Sequence, residues 1–244
     1  MGEQHLQFVK FWLEENFEVS LLENKPEVHF RETIQKNSDA QAKFKKQTGG
    51  RGQYGEVFLK VEPLERGKGI EFEDQIKGGN IPSKYVPSVE TGVREALNSG
   101  TLAGFPVVDC KVIVYDGSYH PVDSSDNAFK RAGSMALKNA LSKASPFLLE
   151  PILKVQIVIT DEYTGDVMGD LNSKRGRILG IDARGKFQVI NAYVPEKEMF
   201  KYSSRLRSLT QGTGTYSAEF AFYERVPEEI AKEIMEHGKT EEEE

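Results

Sequence analysis

Lys46-Gln47-Thr48-Gly49-Gly50-Arg51-Gly52-Gln53-Tyr54-Gly55, running on into Glu56-Val57-Phe58-Leu59-Lys60-Val61, is the stretch on which the fold turns. Gly50, Gly52 and Gly55 fit the dinucleotide pattern G-x-G-x-x-G, and Val57 extends it to the kinase loop. A dinucleotide site needs a strand before the glycines and a helix N-terminus after them, because the aligned N–H groups of that helix bind the pyrophosphate. Here a basic polar run (Lys43, Lys45, Lys46) precedes the glycines, and the alternation of Val57, Leu59 and Val61 follows them. A kinase also needs H-R-D and D-F-G, and neither string occurs. What remains is a glycine-rich, cationic loop with one aromatic, entering a β-strand. Such a loop suits RNA phosphates and bases; the same residues also suit an ordinary hairpin loop.

Outward from the loop, residues 56–62 and 69–77 read as strands around a turn at 63–69. Val89, Val93 and Leu97 place a helix over 83–98, ended by Gly100 and Gly104. The β-prone run Val107, Val108, Val112, Ile113, Val114 leads into a loop at 116–125. A second helix over 126–143 follows, with Ser124, Ser125 and Asp126 as capping residues. Before the loop, Leu6, Val9, Leu13 and Phe17 mark a helix over 4–17, and 18–22 and 26–33 read as strands. One helix and two strands cannot close a core, so this piece reads as part of a larger unit. After 148 the order is strand, helix, two strands, helix, strand: the split βαβ, ferredoxin-like pattern. A short helix with Ile230 and Ile234 on one side follows, then an acidic end.

Among 244 residues, 38% are hydrophobic, enough to bury real cores, and no apolar run is long enough to cross a membrane. The N-terminus lacks the basic and apolar regions of a signal peptide. The single cysteine, Cys110, excludes an internal disulfide and fits a reducing cytoplasm; its valine and isoleucine neighbours make it a buried strand thiol. Net charge is −6, so the chain is not basic throughout. Yet residues 35–57 hold five basic side chains against two acidic, and 172–187 hold five against one. Local cationic patches on an acidic body fit docking on RNA at chosen points, or simply solvated turns.

No enzyme constellation is present in the sequence. Gly238-Lys239-Thr240 lacks the earlier P-loop glycine, and the four histidines show no zinc spacing. Ser124 and Ser125 lack a nucleophile elbow. His120, between Tyr119 and Pro121, could stack on a base and hydrogen-bond to it, or belong to a capped turn before the helix.

The residues 47–55, 102–109, 115–125, 148–152, 165–176 and 206–216 resemble elongation factor G, in collinear order over nearly the whole chain. The resemblance implies an α+β chain of three parts and a tail. Residues 1–34 correspond to the second half of the family's third domain, a partial ferredoxin-like unit. Residues 35–147 correspond to the fourth domain, with a ribosomal-protein-S5-domain-2-like fold and a left-handed βαβ crossover. Residues 148–235 correspond to the fifth, ferredoxin-like domain, its final helix packing back on the fourth, and 236–244 form an acidic tail. Met1-Gly2-Glu3 matches a string inside the family's third domain, so a piece of a longer protein is expected.

The resemblance also implies the partners. The fourth domain's tip enters the decoding site of the small ribosomal subunit behind the tRNA–mRNA duplex during translocation. Its residues would be Gly49, Gly50, Arg51, Gly52, Gln53 and Tyr54 in one loop and Ser118, Tyr119, His120 and Val122 in the other. The fifth domain would face the stalk base and the sarcin–ricin loop through Asn172, Ser173, Lys174 and Arg175. This chain would be no enzyme and carry no cofactor or metal, GTP and Mg belonging to the absent GTPase domain; the place is the cytoplasm, with no membrane partner. Asp126-Asn127 stand after the serine pair where the family commonly has Glu, and the lead Lys45-Lys46-Gln47-Thr48 looks more like the family's divergent paralogues than its principal factor. A role in ribosome recycling or protection is therefore the alternative, as is a standalone RNA-binding module.

Overall fold

The computed structural model describes residues 3–22, 24–47 and 52–240. In chain order its elements are α1 (Glu3–Phe17), β1 (Arg31–Ile34), β2 (Ser38–Lys46), β3 (Gln53–Pro63), β4 (Ile70–Asp74), α2 (Val86–Ser99), β5 (Cys110–Ser118), α3 (Asp126–Lys143), β6 (Pro146–Thr160), α4 (Thr164–Ser173), β7 (Arg177–Arg184), β8 (Phe187–Pro195), α5 (Tyr202–Leu209), β9 (Thr215–Arg225) and α6 (Glu228–Thr240). Two compact units divide the chain: residues 1–29 with 150–224, and residues 30–149 with 225–244.

The unit of residues 30–149 and 225–244 carries a four-stranded sheet in the order β2-β3-β5-β4. β3 is antiparallel to both its neighbours, β2 and β5, and β4 runs parallel to β5, so β4–α2–β5 is a crossover. The alternation legible in β3 buries Val57, Leu59 and Val61 on one face, where Val112 and Val114 of β5 join them. Onto that face pack α2, through Val89, Val93 and Leu97, and α3, through Phe129, Ala132, Ala136 and Leu137. Each large aliphatic side chain so buried contributes about 1.5–3 kcal/mol. The two helices approach closely because Gly92 and Gly133 lie between them: a Cβ on Gly92 would stand 1.9 Å from the Lys130 carbonyl oxygen. The Ser125 hydroxyl accepts the Ala128 N–H and so caps α3.

Two expectations are corrected here. The strands expected at 18–22 and 26–33 are not formed; the described residues of 18–30 have no regular structure, and β1 starts only at Arg31. Conversely, the basic run before the glycines is a strand, β2. Its inward side chains are Ala40, Ala42 and Phe44, between charged outward ones, and alanine gives little β signal. A strand therefore does precede the glycines, and only the absence of a helix after them excludes a dinucleotide site.

Two buried carboxylates organise the connections. Glu32, 1% exposed, lies on β1 and accepts backbone N–H bonds from Thr101, Leu102, Ala103 and Phe105 at 2.6–3.2 Å. Gly100 and Gly104, both at positive φ, bend the chain around it. Asp109, also at positive φ, accepts from Gly67 and Gly69 and pairs with Arg66 at 2.9 Å. The string at 102–109 is thus a pair of carboxylate-centred turns. After β9 the chain rejoins this unit through the Val226 N–H on the Leu148 carbonyl, and Arg225 lies over the Phe147 ring at 4.7 Å.

Cys110 is fully buried on β5, and desolvation pushes its thiol up from 9.0 to about 12. Folding therefore disfavours its thiolate. The stability so gained by the neutral thiol is present below about pH 9 and is lost as pH rises from there toward 12. Alkylation of native protein at pH 8.5 is expected to be slower than that of the unfolded chain by at least about tenfold, set by the fraction of thiolate. Equal rates by mass spectrometry would refute the burial.

In the unit of residues 1–29 and 150–224, β8 lies between β6 and β7, and β9 pairs with β6. The chain order β6-α4-β7-β8-α5-β9 is the ferredoxin-like βαββαβ. Val155, Ile157, Ile159, Ile190, Ala192 and Val194 of the sheet form a core with Val167 and Leu171 of α4 and Tyr202 and Leu206 of α5. Gly185, at φ 63°, opens the two-residue turn between β7 and β8. Along α1, Leu6, Phe8, Phe11, Trp12 and Phe17 are exposed.

Candidate nucleic-acid interface

Antiparallel pairing sets the start of β3 beside the end of β5, with Glu56 opposite Ser118 and Val57 opposite Gly117. The glycine loop before β3 and the loop after β5 are thereby brought to one end of the sheet. Direct bonds then join them. The Tyr54 N–H donates to the Asp123 carbonyl at 2.9 Å, and the Gly52 N–H donates to the Asp123 carboxylate at 3.1 Å. The buried Ser124 hydroxyl accepts the His120 N–H and donates to the Tyr54 carbonyl, both at 2.9 Å. A relay runs from the Tyr54 hydroxyl to Ser118 (2.6 Å) and from Ser118 to the Glu56 carboxylate (2.6 Å). A Cβ at Gly52 would meet the Asp123 carboxyl carbon at 2.9 Å, so glycine is what allows this approach.

The polarity of His120 follows from its own loop. Its Nδ1 accepts the N–H groups of Val122 (3.3 Å) and Asp123 (3.2 Å). The Asp123 carboxylate also lies 3.4 Å from Nδ1, a distance at which a protonated nitrogen could pair with it. Two aligned N–H donors decide the matter: Nδ1 is the acceptor, and the ring proton resides on Nε2. His120, Tyr119 and Val122 are all exposed. Among the described residues, this loop presents one N–H donor, one phenol and one apolar side chain.

Gly52, Gln53, Tyr54, Ser118, Tyr119, His120 and Val122 are therefore gathered at one place. Gly49, Gly50 and Arg51 lie outside the described residues. Among the described tip residues the nearest cations are on β2: Lys43 lies over the Tyr54 ring at 5.0 Å. A hydrogen bond to Tyr54, then the charge of Glu56, holds the Lys43 ammonium above its usual pKa range. Sequence reasoning misses Asp123, Ser124 and Glu56. It makes Ser124 a capping residue; in the structure Ser124 is the knot between the loops, and only the pairing of β3 with β5 reveals that.

The second candidate cluster divides. Asn172 and Ser173 are exposed at the end of α4, and the Lys174 ammonium donates to the Glu198 carbonyl at 3.3 Å. Arg175 is turned inward. It adopts φ 57°, and Gly176 closes the helix end by donating to the Leu171 carbonyl at 2.8 Å. The Arg175 guanidinium forms a bidentate pair with the buried Glu150 (2.7 and 2.9 Å) and reaches Glu198 at 3.2 Å. Glu150 raises the Arg175 pKa further, so this arginine stays charged. Its geometry is that of a tether between β6 and the end of α4.

Among the described residues there is no cluster of metal-ligating side chains and no helix long and apolar enough to cross a membrane. Family models match in two places: elongation factor G domain IV over residues 26–145, and the elongation factor G C-terminus over 147–234. The crystal structure of a Thermus thermophilus protein is similar at 46% identity with a TM-score of 0.89. That alignment covers 98% of this chain and 36% of the other, so this chain spans about a third of the protein it resembles.

Proposed function

Because the chain belongs to the elongation factor G family, we propose that it is the ribosome-engaging part of a translocation factor, whose two-loop tip enters the decoding site beside the tRNA–mRNA duplex. The observation that carries this reading is the stitching of the two loops into one exposed platform by Asp123 and Ser124. A probe that follows moving RNA has to hold its shape, and shared hydrogen bonds between the loops hold it. The bond chemistry belongs to a GTPase domain that neither matched domain supplies; this chain binds and positions, with no cofactor of its own. Residues 35–147 act as the decoding-site domain and 148–235 face the stalk base and sarcin–ricin loop, through Asn172, Ser173 and Lys174. The work takes place in the cytoplasm.

The polarity of His120 gives a test in two halves. In glutamine the side-chain amide nitrogen takes the place of Nε2, so His120→Gln keeps the outward donor and loses the turn acceptor. Asparagine does the reverse, its oxygen accepting the loop N–H groups as an Asx turn does. In a complete factor, His120→Asn and His120→Ala are expected to slow single-round translocation by about 10–100-fold, the loss of a hydrogen bond to a charged or structured partner, and His120→Gln by less than about fivefold. Ribosome-stimulated GTP hydrolysis is expected to stay near wild type in all three. Equal loss of hydrolysis and translocation, measured by stopped-flow, would remove the tip assignment.

A further inference from the structure

The charges of the sheet that bears the tip are sorted between its two edges. The order β2-β3-β5-β4 leaves β2 and β4 at the margins. β2 carries Lys43, Lys45 and Lys46 toward its tip end and one acid, Asp39, at its other end; β4 carries Glu71, Glu73 and Asp74. Beside β2 runs α3, whose outward stripe is Arg131, Met135, Lys138 and Ser142 at helical spacing. Arg131 lies over the Phe44 ring of β2 at 5.2 Å, so this stripe adjoins the lysine-bearing edge. Phe44 of β2 and the α3 stripe border an open groove of about 400 Å³, lined also by Glu95, Asn127 and Ser134. Lys130, also on the groove, is paired with Glu95 at 2.6 Å and is not counted. Among the described residues no ion pair engages Lys45, Lys46, Arg131 or Lys138.

We propose that the β2 edge and the outer stripe of α3 form a cationic flank that binds the phosphate backbone of RNA alongside the group engaged by the tip. The inference rests on the ribosome reading above and adds a side to it: nucleic acid lies along β2, and the acidic β4 edge faces away from it. The chemistry favours RNA over a protein partner. Phosphates repeat along a strand and match extended, unpaired lysine and arginine side chains, and the groove offers too little apolar area for a stable protein contact. The competing explanation is that lysines on an edge strand merely prevent edge-to-edge pairing.

The experiment uses the whole chain, with ribosomes and a short A-form RNA hairpin as probes, in a salt titration. The variants are Lys45→Gln/Lys46→Gln/Arg131→Gln/Lys138→Gln on the flank, Glu71→Gln/Glu73→Gln/Asp74→Asn on the opposite edge, and His120→Ala at the tip. The flank variant is expected to bind both probes at least about tenfold more weakly, with a log–log salt slope shallower by up to about 3.6 if all four cations meet phosphates, since each phosphate contact on a duplex contributes about 0.9. The β4 variant is expected to keep the wild-type slope, because the slope counts released counterions and not net charge. If the flank variant keeps affinity and slope while His120→Ala weakens ribosome binding, the flank falls and the tip reading stands. If wild type binds neither probe, both fall. A flank variant that self-associates in sedimentation with RNA affinity unchanged shows the lysines to be edge guards and overturns the proposal. A thermal melt equal to wild type shows that each variant is folded.

Discussion

Glu32→Ala is expected to lower the unfolding free energy by about 4 kcal/mol, since it strips a buried acceptor from four backbone N–H groups and each buried, unsatisfied donor costs about 1–3 kcal/mol. The full sum is not reached, because the 101–105 turn can open toward water and recover part of the solvation. Glu32→Gln separates charge from shape. The carboxamide keeps one oxygen but presents an NH₂ to donors that need an acceptor, so a loss of about 2 kcal/mol is expected. Position 100 must stay glycine for the carboxyl to sit there, because a Cβ at Gly100 would lie only 2.5 Å from it. Urea unfolding followed by intrinsic fluorescence measures both variants. A loss below about 1 kcal/mol for the alanine variant would mean that the turn holds itself without the carboxylate.

Arg175→Ala is the second large effect, expected at about 3 kcal/mol. It leaves Glu150, with a side chain 4% exposed, as an uncompensated charge. The lower end of the range for broken buried pairs applies because Arg175 itself is 27% exposed. Arg175→Lys is expected to recover less than half, since one ammonium cannot match a two-pronged carboxylate contact. Adding Glu150→Gln to the alanine variant is expected to restore part of the loss, because the stranded charge is then gone. The family resemblance assigns Arg175 to the ribosome-facing group, and the measurement separates the two roles. If Arg175→Ala keeps its stability yet loses ribosome affinity, the arginine serves RNA and the pair with Glu150 is incidental.

How much of this is legible in the sequence depends on which force acts at each element. α3 is fully legible: apolar residues at helical spacing, serines before it, and the observed bounds at Asp126–Lys143. The βαββαβ order after 148 is equally plain, since its strands alternate and its helices carry spaced apolar residues. β2 is hidden because its inward face is two alanines and a phenylalanine among lysines, and it forms through pairing with β3. The strands expected at 18–22 and 26–33 fail for the converse reason: local β propensity without neighbours to pair with does not make a strand. At the site, the exposed residues are legible by family resemblance. The groups that hold them are not, because the Gly52 contact with Asp123 and the hydrogen bond between Tyr54 and Ser124 link residues about 70 positions apart.

That contact between Gly52 and Asp123 has a hereditary consequence. The two loops cannot diverge independently: an aspartate lost at 123 leaves the Gly52 amide bare, and a bulkier residue at 52 collides with the carboxyl group. Chimeras that transplant only one loop from a relative should therefore misfunction even when both parents are active, and second-site suppressors of a damaged loop should map to its counterpart.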